Sequence, residues 1–381
     1  MNIQPTSDPD QPACRPYQRI AIVGGGSWGT ALASVAASAG RDVRLFCRDA
    51  DVAAAINASR RNPAYMPDVD LPPGIAATSD LAEALQGAEA VMLVVPSRAI
   101  RSVAAQMAHH IGADVPVALC TKGIEPVTGY LMTQVAEQEL SGNPMGAVSG
   151  PTFARETALG HPTAATVAFP FGYADRLAPH ESPAARFAHS LSTASFQTYI
   201  SDDLIGVEVG GAVKNVIAIA CGMMTGAGFA ENTRAALITR GMDEMKALAE
   251  ALGGRRETVT GLSGAGDLTL TCSSTTSRNM SLGMQLGQGL ARDACFEGRP
   301  VVVEGEANAT SVIDLARRVG VSMPICETVC AVLGGQVDLR AAFEDLWTRP
   351  IAAEPKALDI SLANPVQAGR LASARTAQGI T

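Results

Sequence analysis

From Arg19 the chain alternates short apolar runs with stretches of helical periodicity. Arg19–Val23 reads as a strand, and Ala-rich Trp28–Ala39 reads as a helix closed by Gly40, a natural C-cap. Asp42–Cys47 is a second strand, followed by a short helix over Asp51–Ala58. Leu81–Leu85 is another helix, with Asp80 placed to cap it. Ala90–Val95 is wholly apolar, as central parallel strands are. Val115–Cys120 is a further strand, and Ala147–Val148 begins one more. This β-α-β alternation predicts an α/β domain built on an open, mostly parallel, doubly wound sheet. Near residues 197–203 the character changes. The periodicity then predicts helices over Asp202–Ile219, Asn232–Leu252, Met280–Leu290, Ala307–Val319 and Glu327–Leu333, hence an all-helical second domain. The expected division is a disordered tail at 1–18, a sheet domain at 19–200, a helical domain at 201–349 and a flexible tail at 350–381. The Pro-, Ala- and His-containing stretch at 170–195 reads as an insertion within the first domain.

Composition narrows the picture further. A chain of 381 residues exceeds one typical domain, and with aromatics at 4% its core must be Ala, Val, Leu, Ile and Met. A net charge of −8 argues against a nucleic-acid partner, since neutralising phosphates takes a basic surface. The eight cysteines include no CxxC pair, and Cys326 and Cys330 stand at helical spacing. They read as reduced thiols of a cytoplasmic protein. The N-terminal segment has four prolines and no apolar h-region, so it is not a signal peptide. No run of about 18 uninterrupted apolar residues predicts a membrane span. The five histidines show no ligand spacing, HExxH is absent and so is G-x-S-x-G, which leaves no metal site and no serine-hydrolase elbow.

The first strand runs into Gly24-Gly25-Gly26-Ser27-Trp28-Gly29, which fits G-x-G-x-x-G through Gly24, Gly26 and Gly29. Such a turn lets a pyrophosphate approach the backbone and meet the open N–H groups of the following helix. The position that carries an acid in NAD-selective folds, at the end of the second strand, holds Cys47-Arg48. An arginine there pairs with a 2′-phosphate, so NADPH is expected to be accepted alongside NADH. Adjacent Asp49 softens that discrimination. The plain alternative for Arg48 is a solvated surface side chain.

Three further stretches hold polar residues that folding alone does not demand. Lys122 follows the strand ending at Cys120 and either reaches a phosphate or carbonyl or points into water; the loop from Ser149 to Ala154 offers backbone N–H groups and the Thr152 hydroxyl. In Leu204–Gly222, adjacent Gly210 and Gly211 each cost about 1 kcal/mol on a helix, which implies a very close neighbour. Lys214 and Asn215 lie inside that apolar run. A lysine buried there loses hydration and becomes a plausible proton donor and acceptor; the alternative is a snorkelling side chain. Ser277-Arg278-Asn279 precede a helix, where they form either an anion site or an ordinary cap with an exposed arginine. Asp267, in a glycine-rich turn, is placed to bond ligand hydroxyls or orient a lysine. Glu304 follows Val301–Val303, a strand-like triplet.

Together these motifs closely resemble the bacterial NAD(P)-dependent sn-glycerol-3-phosphate dehydrogenases. GGGSWGTALA at 24–33, NPAYMPD at 62–68, VVPS at 94–97, TKG at 121–123, SGPTFARE at 149–156, GGAVKNVIAI at 210–219, LITRGMDEM at 237–245, GLSGAGDLTLTC at 261–272, SRN at 277–279 and VVEG at 302–305 carry the resemblance, from about Arg19 to about Leu346. It implies a Rossmann-type N-terminal domain and a C-terminal helical domain. It implies that the chain reduces dihydroxyacetone phosphate reversibly to sn-glycerol 3-phosphate, the backbone of phospholipids. Lys214 matches the family's catalytic lysine. Lys122 matches a lysine touching substrate and cofactor. Gly150, Thr152, Asp267, Ser277, Arg278 and Asn279 match substrate positions. Ser27, Trp28, Arg48, Ala154, Arg278, Val302 and Glu304 match cofactor positions. Met280-Ser281 departs from the basic or aromatic residues common after SRN, which predicts a looser phosphate region. The expected partners are the small-molecule substrate and a second copy of the chain.

Overall fold

The computed structural model describes residues 14–354 and 360–366. Eight strands form one sheet: β1 (Arg19–Val23), β2 (Asp42–Phe46), β3 (Ile75–Thr78), β4 (Ala90–Leu93), β5 (Val117–Leu119), β6 (Met145–Ser149), β7 (Thr163–Ala168) and β8 (Phe196–Ser201). Their order is β3-β2-β1-β4-β5-β6-β7-β8. Neighbours run parallel except β6 and β7. Between and after the strands come α1 (Ser27–Ser38), α2 (Ala50–Ser59), α3 (Leu81–Leu85), α4 (Ile100–Met107), α5 (Met132–Glu139), α6 (Ala154–Ala158), α7 (Tyr173–Leu177) and α8 (Pro183–Leu191). The remaining helices are α9 (Leu204–Gly226), α10 (Glu231–Ala251), α11 (Arg256–Val259), α12 (Asp267–Ser273), α13 (Arg278–Gly287), α14 (Glu304–Arg318), α15 (Pro324–Leu333) and α16 (Leu339–Thr348).

The doubly wound reading follows from β1. Successive side chains of a strand face opposite sides. Ile20 and Ile22 enter one apolar cluster, with Leu32, Leu45 and Phe187; Ala21 and Val23 enter the other, with Leu93, Ile100 and Leu119. Both faces are therefore covered, which is why these strands read as unbroken apolar runs. Asp80 caps α3 as expected, accepting from Ala82 N and Glu83 N.

The structure corrects three expectations and gives residues 170–195 a definite place. Residues 170–195, read as an insertion from sequence, supply α7, α8 and the approach to β8, the last strand of the sheet. The antiparallel β6–β7 step allows this, because β7 returns along β6 without a crossover helix. Tyr17 belongs to the core and not to a tail, at 3% exposure. Its ring meets Phe187 edge-on at 5.2 Å and lies beneath the Arg186 guanidinium. The rest of the predicted N-terminal tail, residues 1–13, lies outside the described residues. Val301–Val303 is not a strand, since Glu304 opens α14 directly behind it. After Arg349, Ile351–Ala352 pairs antiparallel with Ser361–Leu362; residues 355–359 and 367–381 of the predicted tail lie outside the described residues.

The described residues form two compact units, those up to 212 with 245–270, and 213–244 with those from 271 onward. The sequence break near residue 201 coincides with the passage from β8 to α9. The first compact unit nevertheless keeps the start of α9. Asp203 accepts from Gly206 N at 2.9 Å and Arg255 N at 2.8 Å, and Glu208 is bonded to Thr133 of α5. Among the described residues α9 is the one helix long and apolar enough to cross a membrane by composition, and 89% of that window is buried within the protein.

Candidate active site

Because β1, β2, β4, β5 and β6 are parallel, the loops leaving them lie along one edge of the sheet. The order reverses between β1 and β4, the place where open α/β sheets leave a crevice. The glycine turn leaves β1 there. Gly24 has φ +128°, a conformation L side chains rarely adopt, and a side chain on it would strike the Val94 carbonyl. A Cβ on Gly29 would sit 1.8 Å from Gly24 O, so the turn and the helix require each other's bareness. Gly26 is different. Its φ of −74° and ψ of −176° suit any residue, and a Cβ there would meet nothing within 4 Å. The fold therefore does not require glycine at 26; the position is a cradle that a side chain would fill. Gly26 is also the N-cap of α1 and offers no side-chain acceptor to the first-turn amides. These residues fit a dinucleotide pyrophosphate. Ser27 beside them is exposed and Trp28 half-buried against the core.

Next along the edge, Cys47 is buried, its thiol pushed up to about 11 by desolvation, and Arg48 is exposed. Asp49 is engaged as the N-cap of α2, accepting from Asp51 N at 2.9 Å. Behind β5, Thr121 Oγ1 donates to Val95 O at 2.5 Å. Lys122 does not point into water: its side chain is 18% exposed and its Nζ pairs with the Asp267 carboxylate, 145 residues away and 3% exposed. A buried carboxylate without such a partner would be costly. Lys122, Thr121, Ser149, Glu208 and Gly211 line one small cavity. The Ser149 hydroxyl there is buried without a hydrogen-bond partner. The close neighbours implied by the two glycines of α9 are present: a Cβ on Gly210 would meet Ser263 O at 2.9 Å, and one on Gly211 the Lys122 stem at 3.1 Å. Gly150 and Thr152 follow β6, with Thr152 Oγ1 donating to Gly150 O at 3.3 Å, and Ala154 opens α6. A Cβ on Gly150 would lie 2.6 Å from Ala164 O, so packing against β7 by itself accounts for that glycine.

In the second unit, Lys214 is 7% exposed and its Nζ donates to Thr271 Oγ1 at 2.8 Å, which excludes the snorkelling alternative. Asn279 is drawn into a network: its Nδ2 donates to Asn215 Oδ1 and its Oδ1 accepts from Gly305 N, both at 2.8 Å. Asn215 Nδ2 in turn donates to Glu304 at 3.2 Å. Ser277 caps α13, its Oγ accepting from Met280 N at 3.3 Å, while Arg278 is exposed. Val302 is exposed as well. Met280 is 2% exposed, and Ser281 Oγ donates to Thr275 O at 2.8 Å, tying the loop down.

Two polar groups escaped the sequence reading. One is Asn62, which is fully buried. Glu208 is buried in the same apolar run as Lys214, the signal that could have found it. Its carboxylate accepts from Thr133 N at 3.0 Å and from the Thr133 hydroxyl, so it caps α5 from another helix. Desolvation pushes it from 4.5 up to about 7 against those bonds. The folded state thus prefers the protonated acid. Stability from this group is fully present below pH 4.5, is lost as pH rises to about 7, and amounts to about 3 kcal/mol. Glu208→Gln should therefore gain stability relative to wild type between pH 5 and 8, measured by denaturant unfolding. A wild-type-minus-variant difference flat across that range would refute it.

Residues 19–171 match the family model described as NAD-dependent glycerol-3-phosphate dehydrogenase N-terminus, and residues 203–344 match its C-terminus counterpart. The chain is 47% identical over 335 residues to glycerol-3-phosphate dehydrogenase [NAD(P)+] of Rhodospirillum rubrum, covering 88% of this chain and 93% of that one. It is 45% identical over 338 residues to the Caulobacter vibrioides enzyme of the same name, covering 89% and 99%. The crystal structure of glycerol-3-phosphate dehydrogenase from Coxiella burnetii superposes with a TM-score of 0.79 at 37% identity, covering 87% and 99%. With a glycine cradle at the switch point, a Lys122–Asp267 pair at the same sheet edge and two family models spanning most of its length, the chain belongs to the NAD-dependent glycerol-3-phosphate dehydrogenase family.

Proposed function

We propose the following division of labour for the reversible reduction of dihydroxyacetone phosphate to sn-glycerol 3-phosphate with NADPH or NADH. When bound, the reduced nicotinamide supplies the hydride to the C2 carbonyl carbon. Lys214 donates the proton to the C2 oxygen as it becomes an alcohol. Its burial and its bond to Thr271 support this, since a fixed, dehydrated ammonium is oriented before reaction. Lys122, held by Asp267, adds positive charge beside the oxygen. Gly150 and Thr152 offer backbone and hydroxyl contacts to the substrate, as do Ser277 and Asn279 in the second unit. Exposed Arg278, at the start of α13, takes the phosphate and contacts the cofactor. Gly24, Gly26, Ser27, Trp28 and Gly29 hold the pyrophosphate; Ala154, Val302 and Glu304 complete the cofactor contacts. The observation that carries the reading is the Lys122–Asp267 pair at the edge that bears the glycine cradle.

Arg48, exposed beyond β2 while Asp49 is committed to capping, pairs with the 2′-phosphate of NADPH. With dihydroxyacetone phosphate as substrate, Arg48→Ala should lower kcat/KM for NADPH by about tenfold and for NADH by less than about twofold. An unchanged cofactor ratio removes the Arg48 assignment. Oxidation of NADPH with a 2-oxo carboxylate and none with the phosphate would overturn the substrate itself.

A second copy of the chain is the partner we expect. Exposed apolar side chains support this, among them Tyr173 and Leu177 of α7 and Tyr199 and Ile200 of edge strand β8. Sedimentation velocity at micromolar concentration should show a dimer, and a lone monomer would end that reading. A cytoplasmic location is supported by eight cysteines that form no disulfide. Recovery of the protein with the membrane fraction would contradict it. As the resemblance implies, the product feeds phospholipid synthesis.

A further inference from the structure

The NPAYMPD stretch has no part in the chemistry above, yet its first residue is fully buried. All four hydrogen-bonding positions of the Asn62 carboxamide are used. Nδ2 donates to Gly25 O at 3.0 Å and to Thr30 Oγ1 at 2.8 Å. Oδ1 accepts from Ala64 N and Tyr65 N, both at 3.2 Å. The second pair is an Asx turn, which sets the side chain by its own backbone. The segment is anchored behind it. Met66 N donates to Asn62 O at 2.8 Å, Leu71 N donates to Arg60 O at 2.8 Å, and Met66 and Val69 pack on Ala31 and Trp28 of α1. Asn62 is thus rigidly presented to the carbonyl of the middle peptide in the glycine turn.

In a trans peptide the C=O of one residue and the N–H of the next point in opposite directions. Holding the Gly25 carbonyl inward therefore turns the Gly26 N–H outward, on the residue whose Cβ position is open space. We propose that Asn62 is a positioning residue for the cofactor: by gripping the Gly25 carbonyl it aims the Gly26 amide at the pyrophosphate. This rests on the reading that the glycine turn holds the dinucleotide. Asparagine alone serves here. Aspartate would set an oxygen against the Gly25 carbonyl, and alanine would let the peptide rotate.

The test is steady-state kinetics of the full chain, with KM for NADPH and for dihydroxyacetone phosphate measured separately beside thermal unfolding. Asn62→Ala and the isosteric Asn62→Asp should each raise KM for NADPH by about tenfold or more, with KM for dihydroxyacetone phosphate and kcat at saturation within about threefold of wild type. Thr30→Val removes the other bond to the same nitrogen and carries a comparable buried cost. It should leave KM for NADPH within about twofold of wild type. If Asn62→Ala does not fold, Asn62→Asp decides. A folded Asn62 variant with unaltered KM for NADPH overturns the proposal, and so does a parallel rise of both KM values in all three variants. Gly26→Val separates the two layers. If it too leaves KM for NADPH unmoved, the glycine-turn reading is at fault; if it weakens NADPH while the Asn62 variants do not, only the role of Asn62 fails.

Discussion

Replacing Lys214, the proposed general acid, with alanine should lower kcat by about 10²–10⁴-fold, the usual worth of such a positioned group. That is about 3–5 kcal/mol on the barrier. KM for NADPH should stay within about threefold, because the glycine cradle is built from other residues. The substitution also removes the charge-assisted bond to Thr271 Oγ1, worth about 1.5–3 kcal/mol in stability. Activity must therefore be read well below the melting point. Lys214→Met keeps most of the stem and isolates loss of the ammonium from loss of packing. If either folded variant turns over dihydroxyacetone phosphate at near wild-type kcat, the proton comes from elsewhere.

The second large effect separates folding from binding inside one turn. Gly26→Val places its Cβ where the protein has no atom within 4 Å, at a backbone conformation valine tolerates. Its cost to stability is that of a poorer N-cap, about 1 kcal/mol. On the proposed reading the pyrophosphate, kept off the first-turn amides, should lose one or two charge-assisted hydrogen bonds of about 1.5–3 kcal/mol each, so KM for NADPH should rise about 10–100-fold or more. Gly29→Ala does the reverse. Its methyl would lie 1.8 Å from Gly24 O, so the protein should fail to fold before cofactor affinity can be asked about. Equal damage to stability from both variants would show that Gly26, too, serves packing.

What could be read along the chain was chemistry that acts over a few residues. A side-chain oxygen two or three positions ahead caps a helix, as Asp80 and Ser277 do. A glycine that turns a strand into a helix announces itself by spacing. An apolar run marks a buried strand, and a lysine inside an apolar helix marks a buried amine. Lys214 was visible in that way, and Glu208, six positions earlier in the same run, carried the same signal unread. Tertiary structure alone decided which distant groups meet. It set Lys122 against Asp267, spent both ends of the Asn279 amide on Asn215 and Gly305, and turned Asn62 toward the Gly25 carbonyl. It also drew Tyr17 into the core and made residues 163–201 finish the sheet. Hydrophobic period and capping follow from the local backbone and are written locally. Partnership between buried polar groups is a matter of where the chain returns, and one residue's neighbours in sequence hold no record of it.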